Sequence, residues 1–90
     1  MELKPTNHFL NKLEGLFMET GYFLRYEKGH FNSGFCLMKN TQIAVINKYL
    51  PLEGKISSLV EIIKTIEIDL EKLSLKNVKL YRQIVEEAQI

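Results

Sequence analysis

Apolar residues near the start of the chain recur at the spacing of an α-helix. Between Asn7 and Thr20 they fall three or four residues apart, at Phe9, Leu10, Leu13, Leu16 and Phe17. Thr6 or Asn7 can cap this helix, because either side-chain oxygen can accept a hydrogen bond from a free backbone N–H. Gly21 can end it, since glycine adopts the left-handed conformation without strain. The pattern predicts a helix over residues 7–20.

The pattern changes from a helical to an alternating period after Gly21. Tyr22, Leu24 and Tyr26 share one side of an extended segment, which is typical of a half-buried strand. Two further apolar segments follow, separated by a short turn at Asn40–Thr41. Short connections favour antiparallel neighbours. We therefore predict three strands in an antiparallel β-meander, at Tyr22–Lys28, Phe35–Lys39 and Ile43–Asn47.

Two more helices are predicted in the second half of the chain. Pro51 suits the first turn of a helix, because it has no backbone N–H to satisfy. The residues after it form an apolar stripe at helical spacing, at Leu52, Ile56, Leu59, Val60, Ile63, Ile66 and Leu70. Ser74 is a typical cap for a last helix. The predicted inner face of that helix consists of Leu75, Val78, Tyr81, Val85 and Ala88, with Ile84 alongside.

This order of elements is that of an α+β fold, with residues 1–90 as one domain. The prediction is a helix, a three-stranded antiparallel β-meander, and two C-terminal helices packed on the sheet. The second and third strands contain FCLM and IAVI, which are apolar at consecutive positions. A sheet covered on one side alternates apolar and polar residues instead. We therefore expect both faces of the sheet to be covered, the second by the last helix, another copy of the chain or a partner.

Composition narrows the classes of function. The chain has 12 basic and 11 acidic side chains and a net charge of +1, too little to indicate nucleic-acid binding. A single cysteine excludes an internal disulfide. No apolar run approaches the roughly 18–20 residues of a membrane-spanning helix, and the first residues lack the apolar segment of a signal peptide. We expect a cytoplasmic protein with no membrane partner.

The stretch RYEKGHFNSGFC, residues 25–36, contains the side chains best suited to chemistry. Cys36 could act as a nucleophile, with His30 as its base and Glu27 orienting the base. Cys36 lies in an apolar strand, however, and free cysteines are most often packed in the interior. Two histidines and one cysteine at this spacing do not make a metal site. We therefore predict no catalytic residue, no metal and no cofactor.

The same stretch supports an alternative hypothesis of ligand binding. A β-hairpin from Arg25 to Phe35 would present aromatic rings beside the basic residues Arg25 and Lys28. Such a surface could hold a small ligand or stack the bases of single-stranded nucleic acid. The near-neutral charge of the chain argues against nucleic acid, and aromatic residues on strands are normally core. The rings concerned are Tyr22, Tyr26, Phe31 and Phe35.

Four short motifs stand out in the middle of the chain. They are R-Y-E-K-G-x-F at Arg25–Phe31, G-x-C at Gly34–Cys36, I-N-K at Ile46–Lys48, and Glu53 at the start of the following helix. Together they resemble a family of small bacterial proteins for which no activity is established. The resemblance implies neither a mechanism nor a functional residue.

A short chain with a doubly apolar pair of strands favours association over catalysis. We predict a non-catalytic cytosolic module that acts through protein contacts, either with itself as a homodimer or with another protein. The predicted interaction surface consists of Arg25, Tyr26, Lys28, His30, Phe31, Phe35, Leu37 and Tyr49.

Overall fold

A computed structural model describes residues 5–28 and 34–87 of the chain. The helices in these ranges are α1 (Asn7–Met18), α2 (Leu52–Thr65) and α3 (Leu75–Glu87). The strands are β1 (Phe23–Glu27), β2 (Phe35–Met38) and β3 (Ile43–Asn47). A short 3₁₀ turn at Leu70–Lys72 lies between α2 and α3. The predicted α+β class and the predicted order of the elements are confirmed.

The sheet is mixed rather than purely antiparallel. β3 lies in the middle, parallel to β1 and antiparallel to β2, so the strand order is β1–β3–β2. The predicted meander is therefore wrong, and so is the hairpin from Arg25 to Phe35, because β1 and β2 are not neighbours. The physical reason is hydrophobicity: β3 is buried at Ala44–Ile46, whereas β1 exposes Arg25 and Glu27. The most apolar strand takes the position that has a neighbour on both edges, and the charged strand takes an edge.

α1 begins at the residue that the sequence indicated. The Thr6 hydroxyl accepts a 3.0 Å hydrogen bond from the backbone N–H of Phe9, so Thr6 is the N-cap. Gly21 has a φ of 89°, in the left-handed region that glycine adopts without strain. The chain turns there, and β1 packs against α1.

The helices form a layer on one face of the sheet. α1 packs against β1, α2 packs against β3, and the two helices pack against each other. α3 packs against α1 and α2. The prediction that both C-terminal helices pack on the sheet therefore holds for α2, whereas α3 extends the helical layer. The largest fully buried side chains of the shared core are Phe17, Leu13, Leu16, Ile46, Leu59, Ile62, Ile63 and Ile84.

α3 is rotated about its axis relative to the prediction. Val78 and Tyr81 pack against the core as predicted, and Ile84, predicted beside them, is fully buried. Leu75, predicted to face inward, is 82% exposed, and Leu80, which the prediction left out, is buried instead. The polar side chain of Asn77 is also buried, and it forms a hydrogen bond with Glu19 at the end of α1. A buried polar group needs such a partner, and an apolar pattern alone does not predict one. Ala88, the last predicted inner residue, lies outside the described residues.

Candidate interaction surface

We call the face of the sheet that is turned away from the helices the outer face. Side chains alternate between the two faces along each strand. One set of alternating strand residues packs with the core: Tyr22, Leu24 and Tyr26 at β1, Ala44 and Ile46 of β3, and Phe35 and Leu37 of β2. The residues between them form the outer face: Phe23, Arg25, Glu27, Ile43, Val45, Asn47, Cys36 and Met38.

One row of the outer face is apolar across all three strands. The strand register places Phe23 beside Ile43 and Ile43 beside Met38. Phe23 is 70% exposed and Met38 is 40% exposed, while Ile43 between them is partly buried. Contiguous apolar side chains that remain accessible are typical of contact sites for other molecules.

The neighbouring row combines a charge, an aliphatic side chain and the thiol. Arg25, Val45 and Cys36 lie in register on the three strands. Nη2 of Arg25 lies 3.3 Å from Oε1 of Glu27, and both side chains are exposed. An exposed ion pair contributes only about 0–1 kcal/mol to stability, so this pair is not what holds β1 in place. Its consequence is that the outer face carries both signs of charge side by side.

The last helix does not cover the outer face, although it was one of the three covers predicted for it; a cover by another copy or a partner stays a prediction. In the ranges 5–28 and 34–87 the helices pack on the opposite face. Val45, at the centre of the outer face, is only 6% exposed, but Phe23 and Met38 at its rim remain accessible. The consecutive apolar residues of β3 therefore reflect its central position in the sheet rather than a second layer of helices.

The eight residues predicted to form the interaction surface do not lie together. Arg25 lies on the outer face. Three others lie on the core side of the sheet: Tyr26, Phe35 and Leu37. Two are exposed beyond the ends of strands: Lys28 and Tyr49. Two lie outside the described residues: His30 and Phe31.

Tyr26 connects the sheet to the helices instead of facing a partner. Its hydroxyl donates a 2.5 Å hydrogen bond to Oε2 of Glu14 on α1. Nζ of Lys55, on α2, lies 5.6 Å from the centre of its ring. Burial, followed by the hydrogen bond and the negative charge of Glu14, raises the pKa of Tyr26 well above its ordinary value of 10.0. Tyr26 therefore stays protonated and acts as a structural donor.

Cys36 lies on the outer face and is partly exposed. The prediction that it packs in the interior is wrong, because the alternation along β2 gives the core side to Phe35 and Leu37. Its proposed base, His30, lies outside the described residues. Its neighbours in the strand register are Val45 and, one strand further, Arg25.

The described part of the chain contains neither a metal-binding cluster nor a membrane-spanning helix. Among residues 5–28 and 34–87, no group of three or more histidine, cysteine, aspartate or glutamate side chains could hold a metal ion. No helix in these ranges is both long enough and apolar enough to cross a membrane.

The two large exposed apolar residues of the outer face, Phe23 and Met38, were missing from the predicted surface. The signal for Phe23 was present in the sequence, because the alternation in β1 puts it on the same side as Arg25 and Glu27. No such signal existed for Met38, since β2 is apolar at every position. Only the strand register brings Met38 into line with Phe23.

Comparison of this chain with known proteins finds no match that bears on the motif resemblance. No protein-family model matches this chain, and no curated protein or solved structure is significantly similar to it.

Proposed function

We propose that this protein is a non-catalytic interaction module whose outer face binds a second copy of the chain. The observation that supports this proposal is the apolar row of Phe23, Ile43 and Met38, which crosses the width of the sheet and is accessible at both ends. Burying these side chains against a partner would remove apolar surface from water, which is favourable by about 25 cal/mol per Å².

The charges of the outer face favour a second copy over a strongly charged partner. Arg25 and Glu27 lie beside the apolar row and cancel each other. In a two-fold arrangement the same patch faces itself, so Arg25 of each chain can approach Glu27 of the other. The face is then complementary to itself in both hydrophobicity and charge, which sets the register of the contact.

The size of the outer face sets the expected strength of association. Strands lie about 4.8 Å apart and rise about 3.3 Å per residue, so three strands of four or five residues present roughly 200–250 Å². Stable interfaces bury about 800 Å² per partner. A contact through this face alone is therefore reversible, and we expect a dissociation constant in the micromolar range.

Single-stranded nucleic acid is the weaker alternative for the same face. Proteins that bind single strands combine several stacking side chains with a positively charged groove. The outer face offers one aromatic ring among the described residues, Phe23, and its neighbouring charges cancel. A small ligand held by a hairpin of β1 and β2 is not supported, because these strands are not adjacent.

A cytoplasmic location is part of the proposal. Cys36 is free and partly exposed, and a thiol of this kind persists most readily where the surroundings are reducing.

Sedimentation velocity over a concentration series tests the proposed function. We expect the weight-average sedimentation coefficient to rise between low and high micromolar protein, and to fall back on dilution. A monomer at high micromolar concentration would contradict self-association. If the monomer instead bound a short oligonucleotide at low salt, that result would favour binding of single-stranded nucleic acid over self-association.

A further inference from the structure

A second surface lies on the helical side of the molecule, between α1 and α3. The two helices flank a groove of about 590 Å³. Both helices contribute to its polar lining: His8, Asn11, Lys12, Lys76, Lys79 and Gln83. Sites for small molecules typically measure roughly 300–1,000 Å³, so the groove has the size of a ligand site.

Positive charge is concentrated in this groove. Its lining has three lysines and one carboxylate, that of Glu19, and thus a net charge of +2 with His8 neutral. The whole chain carries +1, so all the remaining residues together carry −1. The groove is therefore the place on this nearly neutral molecule where an anion is attracted.

The three lysines form no short ion pair in the described ranges, although Lys76 lies near enough to Glu19 to help lower the pKa of that carboxyl. Glu19, the acid of the groove, is already bound by other groups: it accepts a 2.8 Å hydrogen bond from the backbone N–H of Ser74 and another from Asn77. The ammonium groups consequently keep their hydrogen-bonding capacity for a ligand.

Part of the groove lining is small and uncharged. At Gly15 of α1, no heavy atom lies within 4 Å of the position that a Cβ would occupy. Glycine in a helix costs about 1 kcal/mol relative to alanine, and no neighbour in the fold requires it at this position. Leu80 lines the groove beside it. The open space above Gly15 can therefore hold the uncharged part of a ligand.

We propose that the groove between α1 and α3 binds a small organic phosphate, with Lys12, Lys76 and Lys79 holding the phosphate and the organic part lying over Gly15. A phosphate group offers several charged acceptor oxygens, which suits a groove lined by three ammonium donors. The groove is larger than an inorganic anion needs, which is why an organic part belongs to the proposal. This site lies on the helical layer and is independent of the outer face of the sheet.

A titration followed by ¹H–¹⁵N NMR tests the site, with phenyl phosphate and inorganic phosphate as probes. We expect saturable shifts confined to residues 8–19 and 76–83, and tighter binding of phenyl phosphate than of inorganic phosphate. The double variant Lys76→Gln/Lys79→Gln should bind both probes about tenfold more weakly, since it loses two charge-assisted contacts. The matched control is Lys39→Gln/Lys48→Gln, which removes the same charge from turns of the sheet and should bind as the wild type does.

A second variant separates the shape of the groove from its charge. Gly15→Met fills the space above Gly15 without changing the charge, and methionine is a better helix former than glycine. We expect it to lower the affinity for phenyl phosphate to that for inorganic phosphate.

Three results would overturn the proposal. They are shifts that do not saturate, equal losses in the two lysine double variants, and binding of a short oligonucleotide to the groove without binding of phenyl phosphate. Each of them would leave the sedimentation behaviour of the protein unchanged, so this proposal and the proposed self-association can fail separately.

Discussion

The carboxylate of Glu19 accepts a 2.8 Å hydrogen bond from the backbone N–H of Ser74, 55 positions further along the chain. Glu19 follows the last residue of α1, and Ser74 precedes the first residue of α3. The first turn of α3 has no acidic residue of its own. Glu19 therefore supplies, from another helix, the negative charge and the acceptor that the start of a helix requires.

This relationship predicts an acid-sensitive contribution to stability. Hydrogen bonds from the side chain of Asn77 and the backbone of Ser74 hold the pKa of Glu19 below its ordinary value of 4.5. The charged carboxylate is favoured in the folded state, so its contribution is full above pH 4.5 and is lost as the pH falls through the lowered pKa. Glu19→Gln should have a lower denaturant midpoint than the wild type at pH 7, and the difference should vanish in acid.

Urea denaturation of both proteins between pH 3 and pH 7 measures this effect. Glu86→Gln is the matched control, because Glu86 is an exposed glutamate of α3. It should show no comparable change with pH. A constant difference between Glu19→Gln and the wild type over the whole range would mean that the charge of Glu19 is not what stabilises α3.

The rotation of α3 can be tested with two aliphatic residues of the same helix. Ile84 is fully buried and Leu75 is 82% exposed. Ile84→Ala should destabilise the protein by about 2–5 kcal/mol, the usual cost of truncating a buried aliphatic side chain. Leu75→Ala should change stability by no more than about 0.5 kcal/mol, as is usual for exposed sites. If Leu75→Ala were the costlier substitution, α3 would present the face that the apolar pattern alone predicted.

The local elements were predictable because their signals are local. The cap at Thr6 and the left-handed Gly21 are dictated by a few neighbouring residues. Pro51 likewise marks the start of α2, although it is the N-cap and lies one residue before the first turn in which it was predicted. These signals give the α+β class and the order of the elements.

The sheet order and the helix faces were not predictable, because they depend on distant residues. Consecutive apolar positions in β2 and β3 leave the faces of these strands undefined, so the alternation rule could not orient them. In α2 the buried set extends to Ser58 and Ile62, because the helix contacts the sheet on one side and other helices on another. In α3 the bond from Asn77 to Glu19 overrides the apolar pattern.

The candidate surface was predicted only in part, because its composition also depends on residues that are distant in the sequence. Arg25 was assigned to the interaction surface, and it lies on the outer face. Phe35 and Leu37 were chosen for their hydrophobicity and lie on the core side instead. Hydrophobicity identifies residues whose side chains are favourably buried. It does not show whether they are buried in the core of the same chain or in a contact with a partner.

Cys36 is a natural reporter for contact at the outer face. Its thiol is partly exposed, so it should react with a thiol reagent in the native protein. If a second copy covers the outer face, the reaction should slow as the protein concentration rises. In Cys36→Ser/Met18→Cys the reporter moves to an exposed position at the end of α1, and its reaction rate should not depend on concentration. Equal behaviour of the two reporters would count against a contact at the sheet.

The proposal that the outer face joins two copies is tested most directly by sedimentation velocity of two charge-matched variants, Phe23→Lys and Met18→Lys. Both replaced residues are highly exposed and apolar, at 70% and 78%, and both changes add one positive charge, but only Phe23 lies on the outer face. We predict that Phe23→Lys stays monomeric at concentrations where the wild type and Met18→Lys associate. Association of Phe23→Lys with the affinity of the wild type would contradict the proposal.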